Sequence, residues 1–422
     1  MSLVTVHLSL LSSILTLLMS GASEAGKQVL QVVHADPPRI FLLDANHLEA
    51  IRQRLRKNDA ELAPAWAKLE REAQAALGAG PFSVVSKPVV PPSGDKHDYM
   101  SQAPYFWPNP DTPNHLPYVR RDGERNPEIN RITDHQNMDR MAGAVETLAL
   151  AYFFKGDEAY ASRAAQLLRA WFLDAATRMN PNLQYAQFIP GVNTGRGIGL
   201  IETRGLTRVV DAVGLLAGSR AWTKADQQGI EEWFARFLRW MQESKNGRDE
   251  AAAKNNHGTY YDVQTASFAL FLGKRALANA IVQAARQKRI AAQIEPDGRQ
   301  PLELARTKAW SYSVGNLDGL MLLATLGERV GVDLWGYQTA DGRGIRKALD
   351  YLAPFALTDR KWPHQQLGEW PPQMLFPLLR QAATRFSDEA FRTLVAKVPP
   401  ADAADRSNLL FAKAAKKETA HG

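Results

Sequence analysis

The 422-residue sequence predicts an all-α protein in which helical hairpins form a curved array, an incomplete toroid. Apolar residues recur at intervals of three and four through most of the chain, which is the period of amphipathic helices. Short polar turns such as Lys155-Gly156-Asp157 divide these stretches into successive pairs. Few stretches alternate apolar and polar residues as half-buried strands do. Stacked pairs of this kind can extend a helical protein well beyond the size of an ordinary domain.

The helical pattern begins at residues 44–77, and a Pro- and Gly-rich connection follows over residues 78–92. Four helix pairs come after it at irregular spacing, so the repetition lies in the architecture and not in the sequence. The predicted pairs are 141–154 with 160–173, 207–216 with 224–241, 259–272 with 274–292, and 317–331 with 343–356.

The N-terminus is typical of a secretory signal peptide, because an apolar run at residues 4–19 leads to small residues with Ser23 and Ala25 at the cleavage positions. It has no Lys or Arg before the apolar run, so an uncleaved anchor is the alternative. No other stretch approaches the roughly 20 apolar residues of a bilayer span. We therefore predict a signal peptide (1–25), a helical domain (26–400) and a polar, fraying tail (401–422). The protein would be periplasmic or secreted, with no stable membrane span after cleavage.

Composition limits the chemistry and the partners. The chain has no cysteine, which excludes disulfides, thiolate metal sites and thiol nucleophiles. It has no His-Glu-x-x-His or other dense ligand cluster, so neither a metal nor another cofactor is predicted. The net charge of +7 suits a polyanionic partner. Without a basic arm or recognition motif for nucleic acid, an acidic polysaccharide is the expected partner, and a basic pI without functional meaning is the alternative.

Residues 254–262 have the sequence Lys-Asn-Asn-His-Gly-Thr-Tyr-Tyr-Asp, directly before an apolar helical run. Asn255 or Asn256 can cap that helix and hold His257 in its first turn. The free N–H groups and positive dipole end of a helix start favour an anion, and a carboxamide beside them can donate to a carboxylate. The alternative is that the amides only cap the helix and His257 is structural.

Residues 300–312 have the sequence Gln-Pro-Leu-Glu-Leu-Ala-Arg-Thr-Lys-Ala-Trp-Ser-Tyr. The even separation of Arg306 and Tyr312 places both side chains on one side if the segment is extended, whereas in a helix they would diverge. Together the two motifs resemble the alginate lyase superfamily, whose members pair an Asn-Asn-His helix start with an Arg and a catalytic Tyr further along the chain. The resemblance runs from about Asp98 to about Pro371, and it is closer to lyases acting on mannuronan and glucuronan than to the periplasmic mannuronate lyases.

The resemblance implies an (α/α) barrel and a polysaccharide lyase whose catalytic residues are Tyr312, His257, Asn256 and Arg306. Such an enzyme removes the C5 hydrogen of a uronate and expels the C4 oxygen. Asn256 and Arg306 would stabilise the charge that develops on the carboxylate. Tyr312 would transfer the proton, with its pKa lowered from about 10 by the neighbouring cations, or His257 would be the base. One Tyr can serve both steps in mannuronate and glucuronate, whereas guluronate needs a base on the opposite face.

Aromatic residues and arginines are concentrated in two loop segments, residues 98–111 and 118–124. Aromatic rings stack on sugar faces and guanidinium groups pair with carboxylates, so these side chains are candidate substrate contacts. The alternative is that the aromatic residues pin the loop to the core. The candidates are Tyr105, Trp107, Arg120 and Arg121.

Further candidate contacts lie in a glycine-rich turn at residues 187–197, where three glycines near an Arg can form an anion nest. Asn193 and Arg196 are the candidates there, and a simple turn is the alternative. Tyr260 and Tyr261 complete the set, within the Asn-Asn-His motif.

Two other classes of function stay open. A glycoside hydrolase on an (α/α) toroid would need two carboxylates flanking the bond, and a non-catalytic polysaccharide-binding protein would need none. The sequence does not distinguish mannuronan from glucuronan, which differ only at C2, or endo from exo action. The carboxylates available near the motifs are Asp262, Glu295, Asp297 and Glu303.

Overall fold

A computed structural model describes residues 38–411, so the predicted signal peptide lies outside the described residues. The chain is mainly helical. The α-helices are α1 Ala45–Arg56, α2 Ala63–Ala76, α3 Asp134–Lys155, α4 Glu158–Leu168, α5 Leu206–Leu215, α6 Lys224–Glu243, α7 Lys245–Ala251, α8 Asn256–Phe271, α9 Arg275–Ala285, α10 Pro301–Leu304, α11 Ala309–Val330, α12 Ile345–Leu357, α13 Phe376–Ala382, α14 Glu389–Val395 and α15 Ser407–Leu410.

The strands are short and form two small sheets. Strand β1, Met100–Gln102, pairs in parallel with β4, Tyr185–Phe188. Strand β2, Phe106–Trp107, pairs antiparallel with β3, Val119–Arg120. Both sheets belong to connections between helices, and Ala186 of β4 is fully buried in the hydrophobic core.

The predicted hairpins form where the sequence places their turns. Helix α3 ends at Gly156, whose φ of +78° is a left-handed conformation that glycine adopts at low cost. Asp157 follows at once and accepts a hydrogen bond from the backbone N–H of Ala159, which caps α4. The reversal therefore takes only two residues, and α4 packs directly against α3.

An inner row of helices organises the packing. Helix α3 packs on α5, α5 on α8, and α8 on α11. Helices α6 and α9 also pack against α8, and α12 packs against α11. Helix α8 is buried over almost its whole length, as expected for a helix with neighbours on all sides. The all-α toroid of helical hairpins is confirmed.

The structure confirms the helical pattern of residues 44–77, which form the two helices α1 and α2, and it corrects the prediction for the tail. Residues 401–411 do not fray, because Arg406 pairs with Glu72 and Leu409 is fully buried where α15 packs on α1 and α2. The rest of the predicted tail lies outside the described residues. Within residues 38–411, no helix combines the length and the apolarity that a bilayer crossing requires.

Candidate active site

A cavity of about 1020 Å³ lies where three of the inner helices begin. The first turns of α3, α8 and α11 contribute His135, His257 and Tyr312 to its wall. A helix start carries free N–H groups and a partial positive charge, so all three ends favour an anionic ligand. The basic side chains of the lining are Arg120, Arg125, Arg196, Arg204, Arg306 and Lys308.

The start of α8 is organised by local caps and by two buried acids. Asn255 is the N-cap and accepts a hydrogen bond from the backbone N–H of His257 at 3.3 Å. The Nδ1 atom of His257 lies 2.8 Å from Oε1 of Glu250. Asn256 donates to Glu303 twice, from its backbone N–H at 2.6 Å and from Nδ2 at 2.7 Å. Both Asn256 and His257 line the cavity.

The start of α11 brings Arg306 and Tyr312 together. Nη2 of Arg306 donates to the Tyr312 hydroxyl at 2.9 Å, and its guanidinium lies 4.0 Å from the ring centroid. Arg306 also binds Asp122 through Nε at 3.1 Å and Nη2 at 2.8 Å. The Tyr312 hydroxyl in turn donates to the hydroxyl of Tyr105 at 2.9 Å. The predicted pairing is present, and Tyr105 belongs to it.

The reason given for that pairing is wrong. Tyr312 is the fourth residue of α11, and Arg306 lies in the short connection after α10, so the segment is not extended. The two side chains meet because the chain changes direction between α10 and α11. Arg306 lies in that turn and Tyr312 in the first turn of α11, so the two residues do not belong to one continuous helix.

The pKa of Tyr312 moves opposite to the expectation. Burial raises it, and the hydrogen bond to Tyr105 adds to this, while the charge of Arg306 only partly compensates. The phenol is therefore protonated at neutral pH in the unliganded protein. Burial would also raise the pKa of Asp122, but the hydrogen bonds and charge of Arg306 hold it well below its usual range.

Arg196 lines the cavity and has no carboxylate within 4.0 Å among residues 38–411. It is held by Gln187, whose Oε1 accepts from Nη2 at 2.8 Å, and it lies over the ring of Phe106 at 5.1 Å. Burial lowers the pKa of Arg196 to about 10, so it remains charged at neutral pH. Gln187 has a φ of +48°, a strained conformation for a residue other than glycine. Arg196 lines the cavity, and its role as a substrate contact stays a prediction.

Four of the predicted contacts do not line the cavity. Tyr261 is 7% exposed and donates its hydroxyl hydrogen to the Met241 carbonyl on α6, so it is part of the core. Asn193 accepts from the backbone N–H of Ile189, which is the simple turn named as the alternative. Trp107 donates to the Glu124 carbonyl and lies beneath Arg121, so this pair holds a loop together.

Tyr260 and Arg120 do line the cavity. The hydroxyl of Tyr260 is bonded to the Gly315 carbonyl at 3.0 Å and to Asp318 at 2.8 Å, so it ties α8 to α11. Arg120 pairs with Asp122 at 2.8 Å, the same carboxylate that binds Arg306.

The carboxylates considered for a hydrolase are engaged elsewhere, and none of the four lines the cavity. Asp262 pairs with buried Arg289, Asp297 with Arg299, and Glu295 with Arg343. Glu303 is 1% exposed and is occupied by Asn256. Among the described residues, no three His, Asp or Glu side chains group closely enough to hold a metal ion.

A second support of α11 comes from residues 361–372. The Gln366 side chain accepts from the backbone N–H of Trp310 at 3.1 Å and donates to the Ser311 hydroxyl at 3.2 Å. On either side, the N–H of Ala309 donates to the Gln365 carbonyl and that of Leu367 to the Thr307 carbonyl. This segment, the α11 clamp, supplies the cap that the sequence of α11 lacks.

Sequence reasoning missed Asp122, Glu250 and Gln366. Asp122 was only part of a loop sequence, 184 residues from Arg306. Glu250 lies seven residues before His257, on a separate short helix. No local spacing rule indicates any of these contacts, because each depends on how the elements pack.

Comparisons with known proteins agree with this architecture. The sequence matches the model of the family described as alginate lyase over residues 83–362. An alginate lyase from Bacteroides ovatus of known structure is 40% identical, with a TM-score of 0.85 over 89% of this chain and 99% of that one. No curated protein matches the sequence.

More distant structures share the fold. Alginate lyase A1-III from Sphingomonas species A1 is 19% identical, with a TM-score of 0.53 over 89% of this chain and 97% of that one. A variant of alginate lyase A1-III complexed with a tetrasaccharide is 17% identical, with a TM-score of 0.56 over 90% and 96% of the two chains. Fold and family together define a polysaccharide lyase built on a helical toroid. The chain belongs to the alginate lyase family.

Proposed function

We propose that the protein cleaves a 4-linked polyuronate, mannuronan as in alginate or glucuronan, by β-elimination. The product would carry a 4,5-unsaturated uronate at its new end. The observation that carries the proposal is the 2.9 Å contact between Arg306 and the Tyr312 hydroxyl, on the wall of a cavity that Asn256 and His257 also line.

The charge of the cavity supports a substrate with carboxylates. The basic lining exceeds the acidic lining, which consists of Glu202 and Asp318. Arg196 and Lys308 have no carboxylate within 4.0 Å among residues 38–411. Elimination requires that the charge developing on the C5 carboxylate be stabilised more in the transition state than in the ground state. Arg306 and the amide of Asn256 both line the cavity and are our candidates for this stabilisation.

The protonation of Tyr312 suggests its part in the reaction. A phenol that is protonated at neutral pH can donate to the C4 oxygen as the C4–O bond breaks. The C5 proton goes to His257, or to a Tyr312 phenolate that has first given its own proton to His257 and that then passes the C5 proton to the C4 oxygen. Either route takes one proton from C5 and gives one to the C4 oxygen, so no proton is released overall. After the reaction His257 returns its proton to the Tyr312 phenolate.

The test is a panel of mannuronan, guluronan, glucuronan and hyaluronan, followed by the absorbance of the unsaturated product. We expect activity on mannuronan or glucuronan. Tyr312→Phe should lower kcat at least about 100-fold, since general acid–base groups contribute about 100- to 10,000-fold. Tyr337→Phe removes a phenolic hydroxyl outside the cavity lining and should leave the rate unchanged.

Two outcomes would contradict the proposal. New reducing ends without the absorbing product would mean hydrolysis. Binding of a polyuronate without any turnover, unaffected by Tyr312→Phe, would mean a non-catalytic binding protein.

We also propose that the protein is periplasmic or secreted, which is supported by the signal-like pattern of residues 1–25. N-terminal sequencing of the protein from cell fractions should find a mature chain beginning near Gly26. A chain that retains Met1 and occurs only in the cytoplasm would contradict this.

A further inference from the structure

A buried carboxylate lies directly behind the cavity histidine. Glu250 is 1% exposed, near the end of α7, and does not itself line the cavity. Its Oε1 is 2.8 Å from Nδ1 of His257, whose side chain is 15% exposed. A carboxylate accepts and does not donate, so Nδ1 carries the hydrogen of this bond. The other ring nitrogen, Nε2, is left for the cavity.

Arg289 fixes this pair from behind. Its guanidinium donates to the carbonyls of Ala251 at 2.9 Å and Ala253 at 2.6 Å, just after Glu250. The same group binds Asp262 on α8 through Nε at 2.7 Å. One buried side chain therefore joins the end of α7 to the helix that carries His257.

Close packing at Gly258 adds a second constraint. A Cβ atom there would lie 2.0 Å from the Ala253 carbonyl oxygen and 2.2 Å from Nη1 of Arg289. The start of α8 can approach the end of α7 this closely only because residue 258 is glycine. This close packing brings the backbone that carries His257 next to the end of α7, which carries Glu250.

We propose that Glu250 is a positioning residue, which holds the hydrogen of His257 on Nδ1 and stabilises its imidazolium, so that Nε2 exchanges a proton with the substrate or with Tyr312. The assignment deepens the proposed elimination and rests on it for the identity of the reaction. A carboxylate that orients a histidine in this way fixes both the tautomer and the direction of the free lone pair.

The contacts of Glu250 show what a positive charge on His257 would add. Among residues 38–411, the second oxygen of Glu250, Oε2, is buried without a hydrogen-bond partner. An incompletely paired buried carboxylate is costly, and an imidazolium at 2.8 Å supplies the missing positive charge. The surrounding charged and titratable groups are Arg196 and Tyr261, which interact with Glu250, and Glu303, which interacts with His257. Arg306 and Tyr312 face the same cavity.

The first test needs no variant of Glu250. In protein labelled with ¹⁵N-histidine, the neutral form of His257 should carry its hydrogen on Nδ1 and none on Nε2. His257→Gln assigns the signals by their loss. A resting enzyme with the hydrogen on Nε2 would overturn the proposal, whether or not a substrate has been identified.

The second test compares Glu250→Gln and Glu250→Ala with the matched surface variant Glu232→Gln. We expect kcat to fall about 10- to 100-fold with little change in KM, as for other residues that orient a reacting imidazole. The acidic limb of the pH profile should move to lower pH, because the imidazolium loses its carboxylate neighbour. A purely structural role would leave that limb in place, and this outcome, or a change confined to KM, would contradict the proposal.

The two proposals can fail separately. If the wild-type protein forms no unsaturated product from any polyuronate, the elimination fails while the NMR result still decides the role of Glu250. If Glu250→Gln does not fold, as shown by circular dichroism, the tautomer of the wild-type protein remains the deciding measurement.

Discussion

The starts of α8 and α11 carry the candidate catalytic residues, and they are held in different ways. Helix α8 is capped by Asn255, the residue directly before it. Helix α11 has Lys308 at the same position, without a side-chain cap, and the backbone N–H of Trp310 donates instead to the side chain of Gln366 in the α11 clamp. A local cap can be recognised in the sequence, whereas a cap from a distant segment requires the fold.

The acids beside the two starts also differ. Burial raises the pKa of Glu303, since its partners are the N–H dipoles of Asn256 and the more distant charges only partly offset desolvation. Burial acts on Asp122 in the same direction, but the direct bidentate contact with Arg306 reverses the result. A full positive charge at hydrogen-bond distance therefore lowers the pKa of a buried carboxyl group, whereas neutral N–H donors do not overcome the effect of burial.

Removing that charge should have the largest effect on activity. Arg306→Ala takes the donor from Tyr312 and the partner from Asp122, and we expect kcat/KM to fall about 100- to 1,000-fold. Arg299→Ala is the control, because Arg299 is exposed, lies outside the cavity lining and pairs with exposed Asp297. If both variants keep the wild-type rate, the residues at the start of α11 play no role in catalysis.

The two acids should respond to pH in opposite directions. Asp122 has a lowered pKa, so its contribution to stability is present above its ordinary pKa of about 4 and is lost as pH falls through the folded value. Asp122→Asn should therefore cost most near neutral pH, about 1.5–3 kcal/mol for a hydrogen bond to a charged group. Glu303 has a raised pKa, so its contribution is present in acid and is lost as pH rises.

Glu303→Gln should accordingly cost most in acid and least near neutral pH. Urea unfolding of both variants between about pH 2 and pH 7 measures the two trends against the wild type. Parallel trends would show that the contrast between charge and dipoles is wrong.

The tight packing at the start of α8 can be tested with a pair of glycines. Gly258→Ala forces a Cβ against the Ala253 carbonyl, and we expect a loss of about 1–3 kcal/mol. Gly143 lies inside α3 with nothing within 4 Å of its Cβ position, so Gly143→Ala should stabilise by about 0.5–1 kcal/mol. Thermal unfolding gives both numbers, and a neutral Gly258→Ala would mean that the two helix ends can separate freely.

The smallest effects should come from the caps themselves. Asn255→Ala and Gln366→Ala should each destabilise by about 1 kcal/mol. Both should also lower kcat, because each cap orients the first turn that carries a candidate catalytic residue. Urea titration and initial rates measure the two quantities, and a loss of stability without any loss of rate at Gln366 would separate the clamp from catalysis.

The sequence predicted those parts of the molecule that depend on local pattern. The helical hairpins follow from apolar periodicity, and the Asn255 cap follows from the residue type before a helix. The pairing of Arg306 with Tyr312 was anticipated, although from an extended geometry that the chain does not adopt. The direction of the Tyr312 pKa was wrong because burial, which the sequence does not display, outweighs the charge of Arg306.

The family match covers less of the chain than the segments that support the candidate active site. The family match ends at residue 362, whereas Gln365, Gln366 and Leu367 lie just beyond it. An expression fragment that ends at residue 362 would retain every candidate catalytic side chain. It would still lose the hydrogen bonds that hold the first turn of α11, which carries Tyr312. Anyone shortening this enzyme should therefore choose the endpoint from its three-dimensional contacts.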